Sequence, residues 1–156
     1  MEYEPLFSPG FYDVPFCGFD QHLTQLLVEP FTHQTRRREL LRHLSDLLQT
    51  LETVGNAGGI RTIVEAWGNG SFVTRKEFPG DVDIVVWFET GTFFSPEQRK
   101  RIDRNVWKER GCEVEYYECN NPTAREHFEE LFGTDRNGNR KGIVRIRFQE
   151  RGDGQY

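Results

Sequence analysis

The chain is predicted to fold as a single α+β domain, because helical and strand periodicities interleave along it. A stripe of Leu40, Leu41, Leu44, Leu47, Leu48, Leu51 and Val54 recurs at helical spacing. Four later stretches read as strands, the last three separated by stretches that read as helices. At 156 residues, with no internal repeat and no long linker, the chain fits one domain over residues 1–156 with one core.

Met1 to Gly18 alternates Pro5, Pro9 and Pro15 with Phe7, Phe11, Tyr12 and Phe16. Proline blocks regular helix and central strand, so residues 1–19 are expected to form an extended aromatic arm packed on the domain surface. A short helix is expected over Asp20 to Val28, starting on an Asp cap and ending before Pro30. The leucine stripe places a second helix over Thr35 to Val54, stopped by Gly55-Asn56-Ala57-Gly58-Gly59. That glycine run lacks the Lys-Ser/Thr of a P-loop. Arg36-Arg37-Arg38 reads as a solvated face, with a phosphate-facing patch as the alternative.

Ile60 to Trp67 is the first expected strand, followed by a turn over Gly68 to Ser71 and a short segment, Phe72 to Phe78. Val82 to Phe88 is too continuously apolar to face water, so it is expected as a central strand buried on both faces except at its start. Ser95-Pro96-Glu97 caps a helix running to about Lys108. In Cys112 to Cys119 the alternation puts Cys112, Val114 and Tyr116 on one face and Glu113, Glu115 and Tyr117 on the other. Asn121-Pro122-Thr123 opens a helix over Ala124 to Phe132, with Phe128, Leu131 and Phe132 as packing residues and Gly133 as its stop. Ile143 to Gln149 closes the domain as a half-buried strand, with Val144, Ile146 and Phe148 inward and Arg145 and Arg147 outward.

Hydrophobic residues make up 36% and charged residues 29%, a globular composition in which thirteen Phe carry much of the burial. The net charge of -5 argues against a general nucleic-acid coat, although Arg36 to Arg38 and the Arg145/Arg147 face could bind nucleic acid locally. Cys17, Cys112 and Cys119 form neither a disulfide framework nor a zinc knuckle, which suggests a reducing compartment. No signal-peptide or membrane-spanning pattern is seen, so a cytoplasmic location is expected and the Arg151-Gly152-Asp153 triplet is not read as an adhesion motif. His22, His33, His43 and His127 are scattered, and Ser71 lacks the elbow of a serine hydrolase.

The chemistry concentrates in Gly70-Ser71 and Asp81-Val82-Asp83. Asp81 and Asp83 share a strand face about 7 Å apart, where they repel by roughly 2 to 3 kcal/mol at an effective dielectric of about 20. Carboxylates at the mouth of an apolar strand suit a hard divalent cation, Mg2+ or Mn2+. A third is expected from the next strand, Glu113, with Glu115 in reserve. Gly70 lets the backbone approach a phosphate, Ser71 offers its hydroxyl and N–H groups, and Arg75 and Lys76 stand near enough to steady a leaving pyrophosphate. The competing reading makes Asp81 a turn cap and pairs Asp83 with Arg145 or Arg147.

Gly70-Ser71 followed by Asp81-Val82-Asp83 resembles the signature of the DNA polymerase beta-like nucleotidyltransferase superfamily. Trp67 to Lys76, Pro79 to Asp83, Phe132 to Arg136, Lys141 to Val144 and the opening Pro9-Gly10-Phe11-Tyr12 resemble, more narrowly, a family of small, largely uncharacterised bacterial and phage proteins with that fold. The resemblance implies a small mixed β-sheet with helices mainly on one face. It also implies transfer of a nucleoside monophosphate from a nucleoside triphosphate to an acceptor hydroxyl. On it Asp81, Asp83 and Glu113 ligate the metals, and Gly70 and Ser71 hold the triphosphate. The third position is commonly Asp, so Glu113 departs by one methylene; Lys141 is either a site residue or a strand-start lysine. The acceptor is an unidentified protein, RNA or small molecule, with a partner protein or homodimer to supply its surface. The alternative function is a binding module in a toxin-antitoxin or phage-defence pair with weak or lost catalysis.

Overall fold

Side chains alternate along the strand Val82–Phe88, and both of its faces are covered. Val82, Ile84, Val86 and Phe88 enter the larger of two apolar clusters, while Val85 and Trp87 enter the smaller. The strand therefore divides two packed layers, as its continuous apolar sequence predicts.

The computed structural model describes residues 3–57 and 60–148. In chain order these form β1 (Gly10–Pro15), α1 (Phe19–Leu27), α2 (Thr35–Gly55), β2 (Asn56–Ala57), β3 (Ile60–Arg61), β4 (Ile63–Asn69), a single 3-10 turn (Ser71–Val73), β5 (Val82–Phe88), α3 (Pro96–Arg101), α4 (Arg104–Glu109), β6 (Cys112–Glu118), α5 (Pro122–Phe132) and β7 (Gly142–Arg147). Five strands make one mixed sheet in the order β1-β7-β4-β5-β6, parallel at its two outer pairs and antiparallel between. The leucine stripe of α2, with Phe19, Leu23 and Leu27 of α1 and Trp107 of α4, covers one face. Ala124, Phe128 and Phe132 of α5 cover the other, against Trp67, Val85, Trp87 and Ile143. This is the predicted α+β arrangement, a mixed sheet with helices mainly on one face. No helix among the described residues is long and apolar enough to cross a membrane.

Several local expectations are corrected. Residues 10–15, expected within a surface arm, are the edge strand β1, running parallel to β7 from Gly10↔Gly142 to Pro15↔Arg147. Proline is tolerated because Pro15 is the last residue of an edge strand. Helix α1 starts at Phe19 behind Gly18, whose φ of 81° suits glycine, so Asp20 lies in the first turn and is not the cap. The expected first strand divides into β3 and β4, and β4 continues through Gly68 to Asn69, so the turn begins at Gly70. The helix expected from Ser95 to Lys108 is broken in two. Trp107 Nε1 and Tyr116 Oη donate to the carbonyls of Arg101 and Ile102, and Asp103 caps α4 by accepting from the Asn105 N–H. Leu131 is half exposed rather than packed. Phe148 is buried as expected, but Gln149, Gly58, Gly59 and the Arg-Gly-Asp triplet lie outside the described residues.

An ion pair ties the edge strand to the sheet. Arg145 on β7 donates from Nε and Nη2 to Asp13 at 2.5 and 3.0 Å, while its guanidinium lies 4.2 Å from the Phe11 ring centre. The hydrogen bond from Arg145 holds the Asp13 carboxyl below the usual carboxylate range. A lowered carboxylate pKa stabilises the fold above the ordinary value and loses that contribution as pH falls through the lowered one. Asp13→Asn is therefore expected to speed amide exchange along 11–14 at pH 7, with the difference from wild type shrinking in acid. Because Asp13 is half exposed, the loss in global stability should stay within about 1 kcal/mol, measured by urea unfolding.

Candidate functional site

The site begins where β4 and β5 meet the loop joining them. Gly70 ends β4 with a φ of 93°, and a side chain there would place its Cβ 2.9 Å from Asp83 Oδ2. Glycine is thus required both by the backbone and by the carboxylate against it. The parallel register puts Asp83 beside Glu113 on β6, and the antiparallel register puts it beside Asn69 on β4. Paired residues share a face, so Asn69, Asp83 and Glu113 all project on the α5 side of the sheet.

Asp81, Asp83 and Glu113 each offer one oxygen, and the three oxygens lie within 4.8 Å of one another. Among the described residues none of the three carries an ion pair. Arg145 and Arg147, the alternative partners for Asp83, face Asp13 instead. Glu115 is held by Arg104 at 3.5 Å, which leaves Glu113 as the third carboxylate of the cluster. Burial, then the charges of Asp81 and Glu113, push the Asp83 carboxyl up to about 6 against a smaller opposing effect of Lys141. Three hard oxygen ligands this close, with their mutual repulsion uncompensated by arginine, fit a hard divalent cation.

The cluster opens onto a cleft of about 1060 Å³. Asn69, Asp83 and Glu113 line it at one end; Tyr117, Phe128, Leu131 and Phe132 continue it along β6 and α5. The exposure of Leu131, which α5 packing does not explain, falls on the wall of this cleft.

Ser71 follows Gly70 at the start of the 3-10 turn, and among the described residues its hydroxyl makes no hydrogen bond. Arg75 and Lys76 are turned elsewhere. Arg75 Nε lies 3.0 Å from Glu4, and the Lys76 ammonium lies 5.6 Å from the centre of the Tyr3 ring. The N-terminal segment runs antiparallel to this loop, with Leu6 N–H donating to Val73 O and Arg75 N–H to Glu4 O. Both basic side chains thus engage that segment, while Lys141 acts on Asp83.

Two features escape the sequence reading. Arg37, expected on a solvated face, is fully buried. It donates to the carbonyls of Leu27 and Phe72 from Nη1 (2.9 and 2.7 Å) and of Thr74 and Lys76 from Nη2 (both 2.6 Å), with its guanidinium 3.5 Å from the Phe31 ring centre. Burial pulls its pKa down to about 10, which leaves it charged at neutral pH. Its neighbour Arg36 donates to the carbonyls of Pro79 and Gly80, immediately before Asp81. The start of α2 therefore grips the whole connection from the glycine-serine turn to the aspartates. One signal was present: Arg37 lies four residues before Leu41 and seven before Leu44, on the apolar stripe itself. The second feature is Asn69, 6% exposed, whose Oδ1 has no hydrogen-bond partner. Leaving such a buried acceptor unmet costs about 1–3 kcal/mol.

The chain belongs to a family of unknown function, DUF6932, whose model matches residues 3–147. No curated protein and no solved structure matches it.

Two substitutions separate scaffold from site. Arg37→Met leaves four carbonyls without their donor and is expected to lower unfolding free energy by about 3 kcal/mol or more in urea titration. Asp83→Asn should do the opposite. The raised Asp83 pKa means that the native state binds its proton more tightly than the unfolded chain, so wild-type stability falls as pH rises from about 4 to about 6. The variant should be the more stable protein at pH 7.5, by roughly 2 to 3 kcal/mol, with the advantage fading towards pH 4.

Proposed function

We propose that this chain is a metal-dependent nucleotidyltransferase that moves a nucleoside monophosphate from a nucleoside triphosphate to the hydroxyl of a protein, RNA or small-molecule acceptor. The observation that carries the reading is the group of Asp81, Asp83 and Glu113, three oxygens within 4.8 Å and free of arginine partners, against the Gly70-Ser71 turn. The resemblance of Gly70-Ser71 and Asp81-Val82-Asp83 to the nucleotidyltransferase signature gives that geometry its chemical direction.

On this reading Asp81, Asp83 and Glu113 hold Mg2+ or Mn2+. The bound cation supplies charge neutralisation at the phosphate oxygens and orientation of the reacting groups. Gly70 lets the backbone lie against Asp83 with no Cβ in the way, and Ser71 presents a hydroxyl with no competing partner among the described residues. The acceptor oxygen forms a bond to the α-phosphorus while the bond from that phosphorus to the bridging oxygen breaks, and pyrophosphate leaves. Glu113, exposed at the cleft, takes the hydroxyl proton as it is displaced. The cleft along Tyr117, Phe128 and Leu131 gives the nucleoside or acceptor an apolar wall.

Thermal melts with each of the four common nucleoside triphosphates test the reading. At least one should raise the melting temperature in the presence of Mg2+ but not with chelator, and Asp81→Asn/Asp83→Asn should abolish the shift. No shift with any of them argues for a protein that does not bind nucleotide. Incubation with labelled triphosphate in cell extract then identifies the acceptor as whichever macromolecule becomes labelled.

A further inference from the structure

We propose that Asn69 is a fourth oxygen of the cation site, its side-chain carbonyl accepting a hydrogen bond from water on the divalent cation held by Asp81, Asp83 and Glu113. This rests on the reading of those carboxylates as a metal site and extends it to a residue outside the motif.

Position comes first. Asn69 is the last residue of β4 and the register partner of Asp83, and it lines the cleft together with Asp83 and Glu113. It is nine-tenths buried, yet its Oδ1 has no donor. Buried polar atoms in folded proteins are nearly always satisfied, and a bound ion or water is one explanation of an exception. The same strand face shows what satisfaction looks like. Glu65, four residues back and 2% exposed, accepts from Trp67 Nε1 at 3.1 Å and from Arg125 Nη2 at 3.0 Å.

The chemistry explains why the missing donor is a hydrated cation. Ionised carboxylates are acceptors only, so Asp83 and its neighbours cannot serve an amide oxygen. Mg2+ and Mn2+ held by a few carboxylates keep several bound waters, and those waters are strong donors. A neutral amide oxygen adds an acceptor without adding a fourth negative charge to a cluster already raising the Asp83 pKa. Partners of this outer kind commonly set metal affinity by a factor of 10 to 100.

The test is calorimetric titration of Mn2+ alone into wild type, Asn69→Ala, Asn69→Asp and Asp83→Asn at pH 7.5, with thermal melts of each protein before and after metal. Wild type is expected to bind Mn2+ and Asp83→Asn to lose most of that binding. Asn69→Ala should weaken Mn2+ roughly tenfold while its metal-free melting temperature stays level or rises, because the unmet buried acceptor is gone. Asn69→Asp keeps an acceptor oxygen in the same shape, so it should hold Mn2+ at least as tightly as wild type and melt lower without metal. Mn2+ affinity of Asn69→Ala within twofold of wild type overturns the role of Asn69 and leaves the metal reading standing. Loss of Mn2+ binding in Asn69→Asp also overturns it, and that variant decides alone should Asn69→Ala not fold. A wild-type protein that binds no Mn2+ overturns the metal reading, and this inference with it.

Discussion

A buried guanidinium whose hydrogen bonds all go to backbone carbonyls holds this fold together around the acidic cluster. Arg37 is fully buried and met by four carbonyls and the face of Phe31. Taking a cation out of water costs several kcal/mol, and here oriented backbone dipoles offset the cost together with the charge of Glu77. The geometry suits arginine and not lysine, because a planar fork with separated N–H groups reaches carbonyls lying on different sides. A loop whose carbonyls at Phe72, Thr74 and Lys76 must converge on one group has little freedom left. That loop joins the glycine-serine turn to the aspartates, so a core residue of α2 fixes the spacing of the site.

The carboxylates impose the opposite demand. Asp81, Asp83 and Glu113 repel one another, and Asp83 is further penalised by burial. The fold tolerates this because β5 is anchored along the rest of its length: its large residues enter cores on both faces of the sheet, and Trp87 is fully buried. Strain is confined to Asp81, just before the strand, and Asp83, its second residue, while the rest of the strand is apolar. A site of this kind is built to be completed by something positive, and its cost without that partner is the thermodynamic trace of the function proposed for it.

How much of this was legible in the sequence depends on whether the signal is local. The α2 stripe, the apolar run of β5 and the alternation of β6 each reach only a few residues, and each was read to within about two positions. The acidic trio was legible because strand alternation fixes faces and β6 was the next acidic strand. Pairing was not legible. β1 reads as an arm since its partner β7 lies far along the chain, and nothing near Gly10 announces a parallel neighbour. The break between α3 and α4 depends on Trp107 and Tyr116 capturing carbonyls across a turn, which periodicity cannot express. Arg37 misled because composition ranks arginine as solvent-facing while its helical phase ranks it as core, and phase was the better guide.

The clamp also decides where positive charge is absent. In a trans peptide the carbonyl and the following N–H point in opposite directions, so carbonyls drawn inward by Arg37 turn the N–H groups of Val73 and Arg75 away from it. Gly70 O receives the first and Glu4 O the second. The N-terminal segment is thereby recruited to the loop, and it takes the Arg75 and Lys76 side chains with it, onto Glu4 and Tyr3. The two cations that sequence proximity assigns to a pyrophosphate thus lie against Glu4 and Tyr3 in this structure. Lys141, reaching from the start of β7, is the basic group that lowers the Asp83 pKa, and its effect is smaller than that of either neighbouring carboxylate. One lysine acting on Asp83 leaves the cluster of three carboxylates negative, so a triphosphate approaching it alone would be repelled. On the proposed reading the cation must accompany or precede it, which makes nucleotide binding without metal the state this arrangement of charges disfavours most.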